Sequence, residues 1–302
     1  MTSSHRFQDM AGKQETKSSK GRIADLNGSV LQAKSRRPRI LAVTSGKGGV
    51  GKTNVVANLS ASLSELGKKT VVLDADFGLA NVDVLLGLTP RYHLGHVLFG
   101  NKTLNEIMVQ GPCGIRVIPA SSGLQRMSEL TPAQRNRLVE CFAGLDSDTD
   151  YLVIDTAAGI SRNVVHFLLS AQEVIVVSAP EPTAIVDAYA VIKTVLAEDP
   201  EKKIQILINS AEKAGEAHDV FCQINSVVKR FLNREINYLG HIEWDSCVPQ
   251  AVRSQILVTQ RYPDCPASRC FRDLAQRILQ QQETGSFSDD LVWEELLNDW
   301  IN

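Results

Sequence analysis

The sequence predicts an α/β fold, a doubly wound and mainly parallel sheet with helices on both faces. Three observations carry this. Short apolar runs recur at Ile40–Val43, Thr70–Leu73, Ile115–Ile118, Tyr151–Ile154, Val174–Val177, Ile204–Ile208 and Tyr238–Ile242. They are near-continuous rather than alternating, as strands read when helices cover both sheet faces. Helical spacing fills several of the intervals, which implies right-handed crossovers between parallel strands. A glycine-rich segment, Gly46 to Thr53, directly follows the first run.

Taken in chain order, residues 1–37 hold few large apolar side chains. Eight basic residues there (Arg6, Lys13, Lys17, Lys20, Arg22, Lys34, Arg36, Arg37) outnumber Asp9, Glu15 and Asp25. This composition predicts a solvated arm, or a basic tether that folds against a partner. It lacks the apolar core of a secretory signal. The first helix is expected over Asn54–Leu66, with Val56, Leu59, Leu63 and Leu66 on one face and Gly67 as its stop. Further helices are expected over Pro132–Leu145, Pro182–Leu196, Ala217–Leu232 and Ser268–Gln282. Residues 38–282 therefore read as one domain.

Residues 283–302 read as a separate tail. After Arg277 no basic residue remains, while Glu283, Asp289, Asp290, Glu294, Glu295 and Asp299 follow. Gly285 and Ser286 suggest a hinge into a last helix over Asp289–Ile301. On it Trp293, Leu296, Leu297 and Trp300 share one face, with the acids away from it. The apolar stripe suits a membrane interface, whereas the acidic face is repelled by anionic headgroups. Docking on the protein's own body or a partner, and nucleotide-gated membrane contact, both stay open.

Composition sets bounds on function. The 302 residues, 43% hydrophobic, suffice for one sizeable core. A net charge of −2 supplies no global field to recruit nucleic acid. Six cysteines are expected to be reduced thiols. The close pair, Cys265 and Cys270, lacks the second ligand pair of a structural zinc site. Six histidines form no ligand-spaced cluster, so His93 and His96 read as ordinary loop or helix residues. No apolar run approaches the roughly 20 residues of a membrane-spanning helix.

Chemistry concentrates in Gly46-Lys47-Gly48-Gly49-Val50-Gly51-Lys52-Thr53, which fits G-x-x-x-x-G-K-[ST] between a strand and a helix. Glycines let successive backbone N–H groups converge on phosphate oxygens, and the helix N-terminus adds partial positive charge. Lys52 is expected on the β- and γ-phosphates, Thr53 on Mg²⁺, and Asn54 beside them, so the ligand is expected to be Mg·ATP. Asp155, after the Tyr151–Ile154 run, is placed to hold the magnesium shell. Gly159 would let the backbone approach the γ-phosphate. Asp74 and Asp76 follow the Val71–Leu73 run at the same carboxyl edge, where ligands bind in such sheets. Thr53, Asp76 and Asp155 are the expected metal residues, with Asp74 and Asp155 reaching the metal through water.

Lys47 is not required by that general pattern, and here the sequence resembles a family. Lys47 to Thr53 resembles the deviant Walker A motif of the MinD/ParA ATPases. Asp74-Ala75-Asp76-Phe77-Gly78-Leu79-Ala80-Asn81-Val82-Asp83 resembles their switch I, and Asp155-Thr156-Ala157-Ala158-Gly159 their switch II. The likeness spans roughly residues 38–280. Asn81 to Leu88 and Glu181 to Tyr189 are most similar to the flagellar number-and-placement branch (FlhG, or FleN).

The resemblance implies a slow ATP hydrolase that pairs face to face when ATP is bound, Lys47 reaching the partner's nucleotide. It implies that Asp76 orients the attacking water, Asn209 hydrogen-bonds the adenine edge, and Asp245 to Pro249 form the loop beside the base. It also implies a homodimer, the flagellar GTPase FlhF and a flagellar transcriptional regulator or switch component as partners, and a cytoplasmic chain that associates with the inner membrane at the pole. Asp9-Met10-Ala11 departs from the Asp-Gln-Ala segment with which flagellar relatives activate that GTPase. Three rival readings share the fold. A ParA-type partitioning ATPase needs a basic dimer surface, against which the acidic tail argues. An iron–sulfur reductase needs a cysteine just after switch II, and none occurs between Cys141 and Cys222. Septum placement, the MinD role, is the third.

Overall fold

Every position of β1 (Arg39–Thr44) is buried, so the strand must be covered on both sides. Its side chains divide by parity: Ile40 and Ala42 enter one apolar core, Leu41 and Val43 the other. The computed structural model describes residues 38–77, 81–100, 102–119, 142, 145 and 148–284. Around β1 the same logic builds β2 (Thr70–Ala75), β5 (Tyr151–Thr156) and β6 (Glu173–Ser178), each buried along its length. With β3 (Val109–Gln110), β4 (Arg116–Ile118), β7 (Lys203–Ala211) and β8 (Asn237–Glu243) they form one sheet of order β3-β4-β2-β5-β1-β6-β7-β8. All described pairings are parallel except β3 with β4.

Helices close both faces. On one lie α1 (Lys52–Glu65) and α10 (Pro266–Thr284), contributing Val55, Leu59 and Leu63, and Phe271 and Leu274, to the core beneath them. On the other lie α5 (Arg162–Ser170), α6 (Pro182–Glu198) and α7 (Ala214–Leu232), whose Phe167, Val191 and Ile224 fill the second core. Short helices α2 (Val82–Leu85), α3 (Leu94–Leu98) and α4 (Leu104–Ile107) follow β2, and α8 (Cys247–Arg253) and α9 (Val258–Arg261) follow β8.

At the amino edge of the sheet a buried ionic cluster ties strand starts together. Glu173, 0% exposed, accepts from Arg39 and from Gln205 Nε2, and lies 3.0 Å from Lys203 Nζ. The guanidinium of Arg39 also donates to Ile278 O at 2.7 Å, anchoring α10. The carboxyl edge is left free to carry chemistry.

Seven predicted strands and four helices appear within a few residues of expectation. The structure adds β3, α5 and the short helices α2, α3, α4, α8 and α9, and extends the β7 strand past Ile208, so Asn209 lies inside it rather than at its end. The basic arm, the tail helix, Gly78–Ala80 and most of Pro132–Leu145 lie outside the described residues. His93 and His96 turn out to cap α3, each ring accepting from a backbone N–H.

Candidate nucleotide site

The glycine-rich loop runs from the end of β1 into α1, and its shape depends on residues without side chains. Gly49 and Gly51 hold φ of 86° and 87°, a region other residues avoid. A Cβ on Gly46 would fall 2.2 Å from the backbone carbon of Asp187, so nothing larger fits where the loop passes α6. The N-terminus of α1 has no side-chain cap. The N–H groups of its first turn are therefore not taken up by a capping side chain, the condition under which a helix N-terminus receives phosphate.

Lys52 lies across the floor of this cradle. Its Nζ is 2.6 Å from Asp155 Oδ1, both side chains being buried. Thr53 also hydrogen-bonds Asp155. Burial raises the Asp155 carboxyl above its ordinary pKa, an effect opposed by Lys52. Asp74 stands beside Asp155 in strand register. Burial, and then the charge of Asp155, push Asp74 up to about 7. Its oxygens accept from the N–H groups of Asp76, Asn81 and Val82 at 3.0–3.1 Å, so it shapes the turn after β2. Asp76, half-buried, follows directly and adds to the negative potential at Asp155.

These residues fit magnesium. Asp155, Thr53 and Asp76 offer the oxygen donors a hard cation takes. Two buried carboxylates, both held above their ordinary pKa chiefly by burial, mark a place short of positive charge. Gly159, φ 94°, presently donates its N–H to Ser45 O at 2.8 Å rather than facing the cradle.

Lys47 does not join Lys52. It points to the exposed side of the loop, 2.7 Å from Glu181 Oε2 and 3.2 Å from Thr183 Oγ1. Toward the base end a cleft opens, lined by Gly51, Asn54, Asn209, Trp244, Asp245 and Pro249. Asn209 Nδ2 donates to Val50 O at 2.8 Å, and a Cβ on Gly51 would sit 2.3 Å from that nitrogen. The segment expected as a loop, Asp245 to Pro249, instead enters α8 at Cys247, with Asp245 Oδ1 accepting the Cys247 N–H at 2.8 Å. Sequence reasoning gave no role to Glu181 or Trp244. For Trp244, the residue before Asp245, an exposed tryptophan flanking a predicted base loop was the available signal.

Comparison with known proteins decides the lineage. The family model described as an AAA domain matches residues 38–208. The antiactivator FleN of Pseudomonas aeruginosa is 44% identical over 240 residues, 80% of this chain and 86% of that one. The chain belongs to the MinD/ParA family of P-loop ATPases. The flagellum site-determining protein YlxH of Helicobacter pylori is 34% identical over 82% of this chain and 84% of its own. The fold of this MinD/ParA ATPase matches the septum site-determining protein MinD of Pyrococcus horikoshii, solved with Mg-ADP. The TM-score is 0.66 at 24% identity, over 81% of this chain and 97% of that one.

Proposed function

We propose that this MinD/ParA ATPase is an ATP-dependent dimerisation switch that sets flagellum number and placement. The observation that carries the reading is the 44% identity to FleN across most of both chains, joined to an intact phosphate cradle with Lys52, Thr53, Asp76 and Asp155 in place. YlxH, named for determining the flagellum site, supports the same assignment.

In this reading the loop amides from Gly48 to Thr53 and Lys52 hold the triphosphate of ATP, while Asn209, Trp244, Asp245 and Pro249 bound the base. Thr53, Asp76 and Asp155 would hold Mg²⁺, which when bound would neutralise charge on the triphosphate. Lys52 leaves Asp155 for the phosphates, and Asp76 positions the attacking water. Phosphoryl transfer needs alignment more than a strong base, so an ordinary carboxylate suffices. Lys47 is exposed and held by an exposed glutamate, a contact worth little in water. It is therefore free to exchange Glu181 for phosphate charge on a facing subunit, acting as an arginine finger does. FlhF, a flagellar transcriptional regulator or switch component, and the inner membrane at the pole are the partners this assignment brings. The tail helix is the segment offered to lipid or to a partner.

Two measurements test it. Sizing the full chain in ADP and in ATP should give a monomer and a dimer, with Asp76→Ala still binding ATP but remaining dimeric because turnover falls. Deleting the gene should change flagellum number without producing minicells. Minicells with normal flagella would transfer the protein to septum placement.

A further inference from the structure

The cleft at the base end shares Asp245 with a cluster whose two thiols the nucleotide reading leaves unused. Cys247 begins α8 and Cys265 stands just before α10, eighteen positions later, yet their sulfurs and a carboxylate oxygen of Asp245 all lie within 4.8 Å of one another. All three residues are half-buried, and both thiols are free. The carboxylate is fixed from two directions, taking the Cys247 N–H on Oδ1 at 2.8 Å and the Ala267 N–H on Oδ2 at 3.3 Å. It thereby joins the starts of α8 and α10 and leaves lone pairs facing both sulfurs. The sulfur of Cys265 also lies 3.3 Å from Ser268 Oγ.

We propose that Asp245, Cys247 and Cys265 form a binding site for a thiophilic divalent cation of the zinc class. Two sulfurs and one carboxylate oxygen converging on one point match the donors zinc takes, with a fourth position left to water. Donor atoms within 4.8 Å of one another need to close by no more than about 1 Å to meet zinc–sulfur distances of about 2.3 Å and zinc–oxygen distances of about 2.1 Å. Both thiols hydrogen-bond the Asp245 carboxylate. On binding, each thiol releases its proton to solvent and its thiolate lone pair goes to the metal, so the carboxylate exchanges two S–H partners for one cation. A Cys247–Cys265 disulfide is the poorer use of the same pair, because it would remove both S–H donors and leave the carboxylate without them. Cys270, the nearer cysteine in sequence to Cys265, is not part of the cluster.

The test titrates full-length, reduced, metal-free protein with Co²⁺ in the absence of oxygen and of nucleotide, so it is independent of the ATPase assignment. One equivalent should develop the thiolate-to-cobalt charge-transfer band, and Zn²⁺ should abolish it. Cys247→Ser and Cys265→Ser should each weaken Zn²⁺ at least about a hundredfold in competition with a chromophoric chelator, and Asp245→Asn about tenfold. Cys222→Ser and Cys270→Ser should leave it unchanged. Absence of the band in the wild type, or equal Zn²⁺ affinity in Cys247→Ser and Cys265→Ser, overturns the site. So does mild peroxide closing a Cys247–Cys265 disulfide in protein that takes up no metal.

Discussion

Lys52 Nζ and Asp155 Oδ1 stand 2.6 Å apart at the floor of the phosphate cradle, the lysine 9% and the aspartate 2% exposed. A buried ion pair of this kind contributes little net stability while both partners are present, but removing one strands the other. Lys52→Ala should therefore weaken ATP by at least about a hundredfold, about 2.7 kcal/mol, as read by calorimetry. It should also lower the stability of the nucleotide-free protein by about 3 kcal/mol. The stability loss is limited because Asp155, already raised by burial, can take up a proton. ATP affinity equal to wild type in this variant would remove Lys52 from the phosphate site.

Asp74 makes stability pH-dependent in the unusual direction. The unfolded chain gives up its proton near 3.8, whereas the folded protein keeps it to about 7. The folded state thus binds more protons across that window, and unfolding free energy falls as pH rises, by up to about 1.4 kcal/mol per unit. Denaturant unfolding from pH 4 to 7 should show this slope flattened in Asp74→Asn. The variant should also be less stable throughout, since its amide cannot accept all three N–H groups that Asp74 takes. Mg·ATP should flatten the slope in the wild type by supplying the missing positive charge.

Glu173 offers a control remote from the chemistry. Glu173→Ala leaves Arg39 buried beside an apolar residue and removes the partner of Gln205 and Lys203. The expected loss is about 3–5 kcal/mol in unfolding free energy. Affinity for ATP in the folded fraction should stay within about twofold, because the cluster sits at the strand starts and the cradle at the strand ends.

Trp244 is 64% exposed at the rim of the base cleft. Stacking on adenine should quench its fluorescence when ATP is added, and the signal should vanish in Trp244→Ala. The variant should bind ATP about fivefold more weakly, about 1 kcal/mol. Unchanged affinity and fluorescence would place the ring outside the base contact.

What was legible from sequence were features whose cause is local. Near-continuous apolar runs announced the buried strands, and the Gly46–Thr53 motif announced the cradle, because both depend on neighbours in the chain. β3 was not legible: two residues paired antiparallel at an edge leave no periodic signal. α5 carries Val164, Phe167 and Leu168 at helical spacing, but its nine residues sit between a switch motif and a strand and were passed over. Contacts made by topology were hidden as well. Lys47 meets Glu181 across 134 positions, and Cys247 meets Cys265 where the Asp245 carboxylate ties the starts of α8 and α10. Cysteine spacing singled out only Cys265 and Cys270, a pair read as lacking its zinc partners, since spacing reports proximity only along the chain.

The amide of Asn209 leans on Val50 so closely that residue 51 has no room for a methyl group. The strand β7 is thereby tied to the loop that follows β1 by a direct hydrogen bond. In the proposed reading, replacing Asn209 on β7 would therefore loosen the loop that holds the triphosphate as well as the edge that meets the base.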